Sequence, residues 1–453
     1  MTPAAAGLAP AEPLATPAAA PFRNPFAAGG RVGVDGAAPV PRPADLTPLV
    51  AVLARGGRVG LIGRRGAGKR TLLHALADRA TRLEVDVLRA DASRATSWLE
   101  VADALATRLH DLDGGFDGLR GDPCAPREHA LRLYRAGVTG RRAPADRTSA
   151  GATRAAPAAA GWTIRLARPR EVAPARWPAV ALAAVLEEVA RRAVAGRGRY
   201  AVLLEGVDAL AAETTANDAA HVAGALARTL GEAKGGPDGG APFALVLAGA
   251  GPTGEAALGP LRSAVDDVRT LGPMPRDAFG PWLAERLAAG AAMAAADAVE
   301  RLLDAADDLP HLAVELAREC WDQWRDRRAA GEKSGGHEQI VAWHVDRAAD
   351  ALARRAAPAY AARWAALPSS QRVALLAVLD AAERAREGRL GRADGLASTR
   401  THAETGLPIT TLQRAVEGLV AKGVLWRGPD PTGRVALRPA EPLFARWARL
   451  GLG

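Results

Sequence analysis

The stretch that most constrains this chain is Gly63-Arg64-Arg65-Gly66-Ala67-Gly68-Lys69-Arg70-Thr71. An apolar run, Val59-Gly60-Leu61-Ile62, precedes it and reads as a buried strand. Leu72-Leu73-His74-Ala75-Leu76-Ala77 follows and reads as the start of a helix. Strand, Gly-x-x-x-x-Gly-Lys and helix in that order form the context of a phosphate-binding P-loop. Glycines let backbone N–H groups curl around a phosphate, and the helix N-terminus adds positive potential. Gly63, Arg64, Arg65, Gly66, Ala67, Gly68, Lys69, Arg70 and Thr71 are therefore the expected nucleotide-binding residues, with Lys69 reaching the β- and γ-phosphates. The competing reading, a glycine-rich turn with no ligand, has strand, loop and helix all against it. One position departs from the pattern. The residue after the lysine is ordinarily Ser or Thr, whose hydroxyl ligates Mg²⁺. Here it is Arg70, with Thr71 a poor substitute hydroxyl one place later. Phosphate binding is expected; an ordinary Mg²⁺ site is not.

Around this loop the chain alternates strands and helices, which implies a parallel sheet. Leu46–Leu53 reads as a helix closed by Gly56-Gly57, Leu83–Leu88 as a second strand, and Trp98–Leu109 and Pro178–Ala195 as helices. Tyr200-Ala201-Val202-Leu203-Leu204-Glu205 is a continuous apolar run ending in an acid, the pattern of a central parallel strand. A carboxylate there lies at the sheet edge where open α/β folds bind ligands. Phe243–Gly249 is another such strand. From Arg276 to about Arg355 the pattern is helical, broken and restarted at Asp307-Asp308-Leu309-Pro310-His311-Leu312. Beyond Leu367 come helices at Ser370–Leu379, Ser398–Thr405 and Thr410–Lys422, then two short strands, 423–427 and 434–438, around a Gly/Pro turn. That is the order of a winged helix-turn-helix.

The expected architecture is α/β, a P-loop NTPase three-layer αβα domain with a helical lid, followed by a winged helix-turn-helix domain. Its boundaries fall at 1–21 (an Ala/Pro-rich, disordered tail), 22–272 (the P-loop domain), 273–360 (the lid) and 361–453 (the winged helix). Residues 111–177 read as a partly disordered Arg-rich insertion with a poorly patterned middle at 138–160. Charge sharpens this division. Of a net +9, residues 363–453 hold +6 and residues 120–177 hold +8, leaving the remainder at −5. Two basic regions on an otherwise acidic chain suggest contact with a polyanion; Arg used for solubility is the competing reading.

In order and spacing these motifs resemble the archaeal-type ATPase family, P-loop proteins of the AAA+/STAND group, over roughly residues 22–350. Asn24-Pro25-Phe26 is similar to the family's N-terminal Asn-Pro-Phe, and Gly63–Lys69 to its Arg-containing phosphate loop. Leu203–Leu210 stands where the family has a Walker B strand ending Asp-Glu, and Leu245–Gly249 at its sensor-1 strand. Asp308–Leu312 resembles the lid motif whose proline lies against the nucleotide, which makes Pro310 a base contact. Glu441-Pro442-Leu443-Phe444-Ala445-Arg446-Trp447 resembles the close of the family's winged helix. The resemblance implies ATP as the ligand and a nucleotide-dependent switch. It also implies departures. Glu205 falls on the Mg²⁺-binding Asp position and Gly206 on the position of the water-orienting Glu, and Ala248, Gly249 and Ala250 leave sensor 1 without a polar residue. Glu205 and Asp208 are then the candidate catalytic groups, Thr71 and Glu205 the candidate metal ligands, and hydrolysis is expected to be weak or absent.

The winged helix carries a second set of candidates. Thr410, Thr411, Gln413 and Arg414 would face a DNA major groove, with Arg434 on phosphate; the competing reading is a protein-contact module. Alternatives for the whole are an active ATPase with a rearranged Mg²⁺ site, and a winged-helix transcription regulator or scaffold with a relic P-loop. Expected partners are ATP and ADP, with DNA or a protein as the downstream contact. The two cysteines, Cys124 and Cys320, are too far apart for a zinc motif and fit a reducing cytoplasm. No apolar run approaches the ~18 residues of a membrane span, so no membrane partner is expected.

Overall fold

A computed structural model describes residues 26, 42–112, 138–142, 162–166, 176–196, 198–213, 220–224, 226–227, 243–251, 258–330, 339–386, 405–429 and 435–451. The 1–21 tail, Asn24-Pro25, Cys124, Arg434 and all but Thr405 of the helix expected at 398–405 lie outside them.

The chain enters with helix α1 (Pro43–Ala54), opened by Pro43 at a position whose backbone N–H has no helical acceptor, with Pro48 inside the helix. Strand β1 (Arg58–Gly63), the phosphate loop and helix α2 (Lys69–Arg82) follow. Then come β2 (Val85–Asp91), α3 (Trp98–Leu112), and a pair of strands, β3 (Val138–Arg142) and β4 (Trp162–Leu166). Next are α4 (Trp177–Val194), β5 (Arg199–Glu205), α5 (Val207–Glu213), β6 (Phe243–Ala250) and β7 (Asp267–Leu271).

Five of these strands form one parallel sheet in the order β2-β5-β6-β1-β7, so the phosphate-loop strand lies between β6 and β7. Side chains alternate across a strand, and the packing follows. Ala201, Leu203, Ala244 and Val246 point into the core under α1 and α2, while Val202, Leu204, Leu245 and Leu247 point into the core under α3 and α4. Two cores on two faces make the three-layer αβα arrangement of a P-loop NTPase.

The second core closes on this domain. The first runs on through the helical region and into the C-terminal elements. That region holds α6 (Arg276–Ala289), β8 (Met293–Ala294), α7 (Ala296–Ala306), α8 (Pro310–Ala329), β9 (Gln339–Ile340), α9 (Ala342–Arg355) and α10 (Ala357–Ala365). The last elements are α11 (Ser369–Arg386), α12 (Ile409–Ala421), the antiparallel hairpin β10 (Leu425–Pro429) and β11 (Val435–Pro439), and α13 (Pro442–Arg449). Leu412, Ala415, Val416, Leu419 and Val420 bury one stripe of α12, and Phe444 and Trp447 of α13 stack at 6.0 Å. Two of the three expected helices and the hairpin are present, and all but Thr405 of the helix expected between those two lies outside the described residues.

The structure differs from the sequence reading in several places: the region read as helical from Arg276 carries the short strand pair β8–β9, and the helix read at Ser370–Leu379 runs on to Arg386. Strand β2 starts at Val85 and runs to Asp91, because Leu83 and Glu84 complete the turn that ends α2, Glu84 at φ 56°. Strand β7 has no apolar run to announce it. It lies at the sheet edge, and only Leu271 of its five residues is buried. Val138–Arg142, read as poorly patterned, pairs antiparallel with Trp162–Leu166, where the backbone of a second strand satisfies its hydrogen bonds.

Candidate functional site

The loop between β1 and α2 has the backbone its glycines permit. Gly66 and Gly68 lie at φ 83° and 91°, in the left-handed region, and Gly68 caps α2. At Gly63 a side chain is excluded: a Cβ there would lie 2.9 Å from the Leu271 carbonyl oxygen of β7. Lys69 follows in the first turn of α2. Its Nζ donates to the carbonyls of Gly63 and Arg64, both at 2.9 Å, so the ammonium closes the loop on itself. Burial lowers the Lys69 pKa to about 8; the Asp208 carboxylate pulls it up and Arg65 pushes it down.

Helix α8 begins on top of this loop. The His311 N–H donates to the Gly66 carbonyl at 3.3 Å, and a Cβ on Gly68 would touch the Pro310 ring at 3.4 Å. On the other side the buried Arg42 donates to the carbonyls of Ala67, at 3.1 Å, and Gly272, at 3.2 Å. Pro310, picked out in the sequence, is thus brought to the phosphate loop. Arg42 was not picked out, since an arginine before a helix carries no pattern.

The carboxyl end of the sheet holds a cluster of opposite charges. Arg70 Nε donates to Glu205 Oε2 at 2.8 Å, and Arg70 also pairs with Asp91. Arg89 of β2 donates to Glu205 Oε1 through Nε at 3.0 Å and Nη2 at 2.7 Å. Its Nη1 lies 2.6 Å from His74 Nδ1. Burial and the neighbouring Arg89 charge lower the His74 pKa, and Nδ1 is the acceptor in this pair because a guanidinium only donates. Asp91 and Glu205 are register partners on adjacent strands, which is why one set of arginines reaches both. Asp208, in the first turn of α5, accepts the Ala250 N–H at 2.7 Å and so ties the start of α5 to the end of β6.

These groups do not fit Mg²⁺. The hydroxyl position after Lys69 holds a guanidinium. Of the roughly four acceptor positions on the Glu205 carboxylate, three are taken by arginine N–H groups. Among the described residues no cluster of His, Cys, Asp or Glu could hold a metal ion. Gly206, at the position of the water-orienting Glu, is glycine for a steric reason. It sits at φ 69°, and a Cβ there would lie 2.6 Å from the Ser93 Cβ.

The second arginine network was not legible in the sequence. Arg64 is buried; its Nη1 donates to Asp307 at 2.6 Å and its Nη2 to the Pro439 carbonyl. Its guanidinium carbon lies 5.8 Å from the Trp426 ring centre, within cation–π range. Arg438 donates to the other Asp307 oxygen at 3.1 Å. Asp307 and Asp308 both take left-handed backbone, at φ 51° and 57°, in the turn between α7 and α8. Asp tolerates that region better than most residues, and here the ion pairs hold it: Arg276 donates to Asp308 at 2.7 Å. One residue of the phosphate loop is therefore bonded to both the helical region and the C-terminal hairpin.

Of the residues expected to contact DNA, Thr410, Gln413 and Arg414 are exposed on α12 and Thr411 is half-buried. Among the described residues no helix is long and apolar enough to cross a membrane.

No protein-family model matches the chain, and no curated protein sequence matches it. Several solved structures are similar in outline. The Walker-type ATPase of Pyrococcus abyssi has 12% identity and a TM-score of 0.48, covering 90% of this chain and 96% of its own. The Aeropyrum pernix ORC2 protein, solved with ADPNP and ADP, has 12% identity and a TM-score of 0.46, covering 90% and 93%. The Thermotoga maritima RuvB Holliday junction branch migration motor has 14% identity and a TM-score of 0.36, covering 87% and 92%. The strand order and the phosphate loop, rather than these likenesses, identify the fold here.

Proposed function

We propose that this chain is an ATP- and ADP-binding protein of the AAA+/STAND type that works as a nucleotide-dependent switch, with slow or absent hydrolysis. Arg64 is the observation that carries the reading. It belongs to the loop that cradles phosphate, yet its guanidinium is anchored on Asp307 of the helical lid and on Pro439 of the hairpin. Phosphates entering between Gly63 and Lys69 take the Lys69 ammonium from the carbonyls of Gly63 and Arg64. That frees the backbone on which Arg64 rides. The occupied loop thereby repositions the winged helix, which passes the signal to DNA or a protein.

Weak turnover follows from the sheet edge. Glu205 is held by two arginines, Gly206 offers no carboxylate, and the end of β6 is Ala248-Gly249-Ala250. Asp208, which accepts the Ala250 N–H, is the remaining candidate carboxylate for whatever hydrolysis there is. The test is equilibrium binding of ATP and ADP to wild type and Lys69→Ala, with amide exchange of Leu425–Pro439 followed alongside. Micromolar binding that disappears in the variant, with altered hairpin exchange on binding, is the expected result. Binding that leaves hairpin exchange unchanged removes the switch and keeps a nucleotide-binding protein.

The exposed face of α12 favours DNA as the downstream partner, with Thr410, Gln413 and Arg414 toward the groove. Phosphate contacts make such binding salt-dependent. Binding of a duplex pool that does not weaken with salt, or in Arg414→Ala, would point to a protein partner.

A further inference from the structure

We infer that this site takes its nucleoside polyphosphate free of divalent metal, with the Arg70 guanidinium in the place of the ion. The inference rests on the nucleotide-binding reading above and deepens it by naming the ionic form of the ligand.

In a P-loop the residue after the lysine is the protein's hydroxyl ligand to the metal, and the acid at the end of the Walker B strand is its second anchor. Here those two positions are Arg70 and Glu205, and they are bonded to each other at 2.8 Å. An ion pair therefore joins the two positions that would otherwise hold a metal. The arginine is held from both sides of the strand pair, by Glu205 of β5 and by Asp91 of β2. Arg89 binds Glu205 from below with two N–H groups, and Arg94 reaches Asp91 at 3.3 Å. Two carboxylates thus already face three guanidinium groups. A dication added here meets fixed positive charge and carboxylate oxygens whose lone pairs are engaged.

The same arrangement suits an anion. Arginine has five N–H donors in a planar fork matched to phosphate oxygens. Arg70 spends Nε on Glu205 and Nη2 on Asp91, and among the described residues its Nη1 has no protein partner. Its side chain is 43% exposed, whereas that of Glu205 is 8% exposed. The acids fix the arginine, and the arginine offers its remaining edge outward from the first turn of the helix that follows the phosphate loop. Arg70, Lys69 and the α2 N-terminus together supply the positive charge that Mg²⁺ otherwise brings.

The experiment is calorimetric titration of ATP and of ADP into the full-length protein in Mg²⁺ and in EDTA. For wild type, the dissociation constants in the two buffers are expected to agree within about twofold. Arg70→Ala should bind about tenfold more weakly than wild type in EDTA. Arg70→Lys should recover part of that loss, and Arg70→Ser should bind more tightly with Mg²⁺ than without. Circular dichroism melts of each variant separate lost binding from lost folding, and the wild-type comparison needs no variant. Wild-type binding more than about tenfold weaker in EDTA overturns the metal-free reading and leaves nucleotide binding standing. No binding in either buffer overturns both.

Discussion

Two arginines of one loop, Arg64 and Arg70, meet opposite fates. The Arg64 side chain is 3% exposed and that of Arg70 is 43% exposed. Both are held by carboxylates, so charge pairing alone does not distinguish them. Arg64 points into the packed junction of sheet, helical region and hairpin, where Asp307 and the Pro439 carbonyl replace water. Arg70 stands at the open edge of the sheet, where solvent still reaches it. A buried ion pair is marginal in net stability, but losing one partner strands the other charge in a low-dielectric interior. Of the Arg70–Glu205 pair, the half-exposed arginine can return to water while Arg89 stays on the buried carboxylate. Arg64 is thus built into the architecture, and Arg70 is the one whose side chain stays accessible to a ligand.

The largest effect should come from breaking the buried side. Arg64→Ala removes one arginine from Asp307, Arg438 staying bonded to it, and is expected to lower stability by about 3–5 kcal/mol. Denaturant unfolding measures this, and a loss under about 1 kcal/mol would erase the contrast. Next is Gly206→Glu, which restores the missing carboxylate on paper. The left-handed backbone and the Ser93 contact make it destabilising by about 2 kcal/mol, with no gain in turnover; a stable variant that hydrolyses ATP faster would show that the strand end is plastic.

A pH series sharpens the comparison from the lysine between the two arginines. Lys69 has a folded pKa of about 8 without ligand, and bound phosphate raises it. Binding then takes up a proton, and affinity falls by up to about tenfold per pH unit above 8, or about 1.4 kcal/mol. Affinity constant from pH 7 to 9.5 would contradict a lysine tuned in this way. For the unliganded protein the sign is opposite. Between about 8 and 10.5 the unfolded chain holds more of this proton than the folded one, so the penalty Lys69 places on folding is full below that window and is relieved as pH rises. The smallest expected change in stability is that of Arg70→Ala, about 1 kcal/mol or less, in a variant whose nucleotide binding is nonetheless impaired.

What the sequence made legible was local. The P-loop and the central strands β1, β5 and β6 announce themselves, because a strand buried on both faces reads as an unbroken apolar run. The break and restart at Asp307–Pro310 was visible because proline prefers the first turn of a helix. Strand β7 escaped because an edge strand with Asp267 and Arg269 in it has no such run. The roles of Arg64 and Glu205 escaped for a different reason. Arg64 finds Asp307 across 243 positions and Pro439 across 375, and Glu205 finds Arg89 across 116. Pairings of that range leave no spacing to read. Glu205 was expected as a possible metal ligand, and the arginines that engage it appear only when β2 and β5 are laid side by side.

Arg64 sits on two ledgers at once, the phosphate loop's and the hairpin's. Equilibrium binding is symmetric in such a case. If nucleotide loosens the grip of Arg64 on Pro439, then whatever ligand draws the hairpin away must change nucleotide affinity by the same factor. A partner that holds the hairpin away would therefore tighten nucleotide binding without touching the phosphate loop, and its presence could be read from nucleotide occupancy alone.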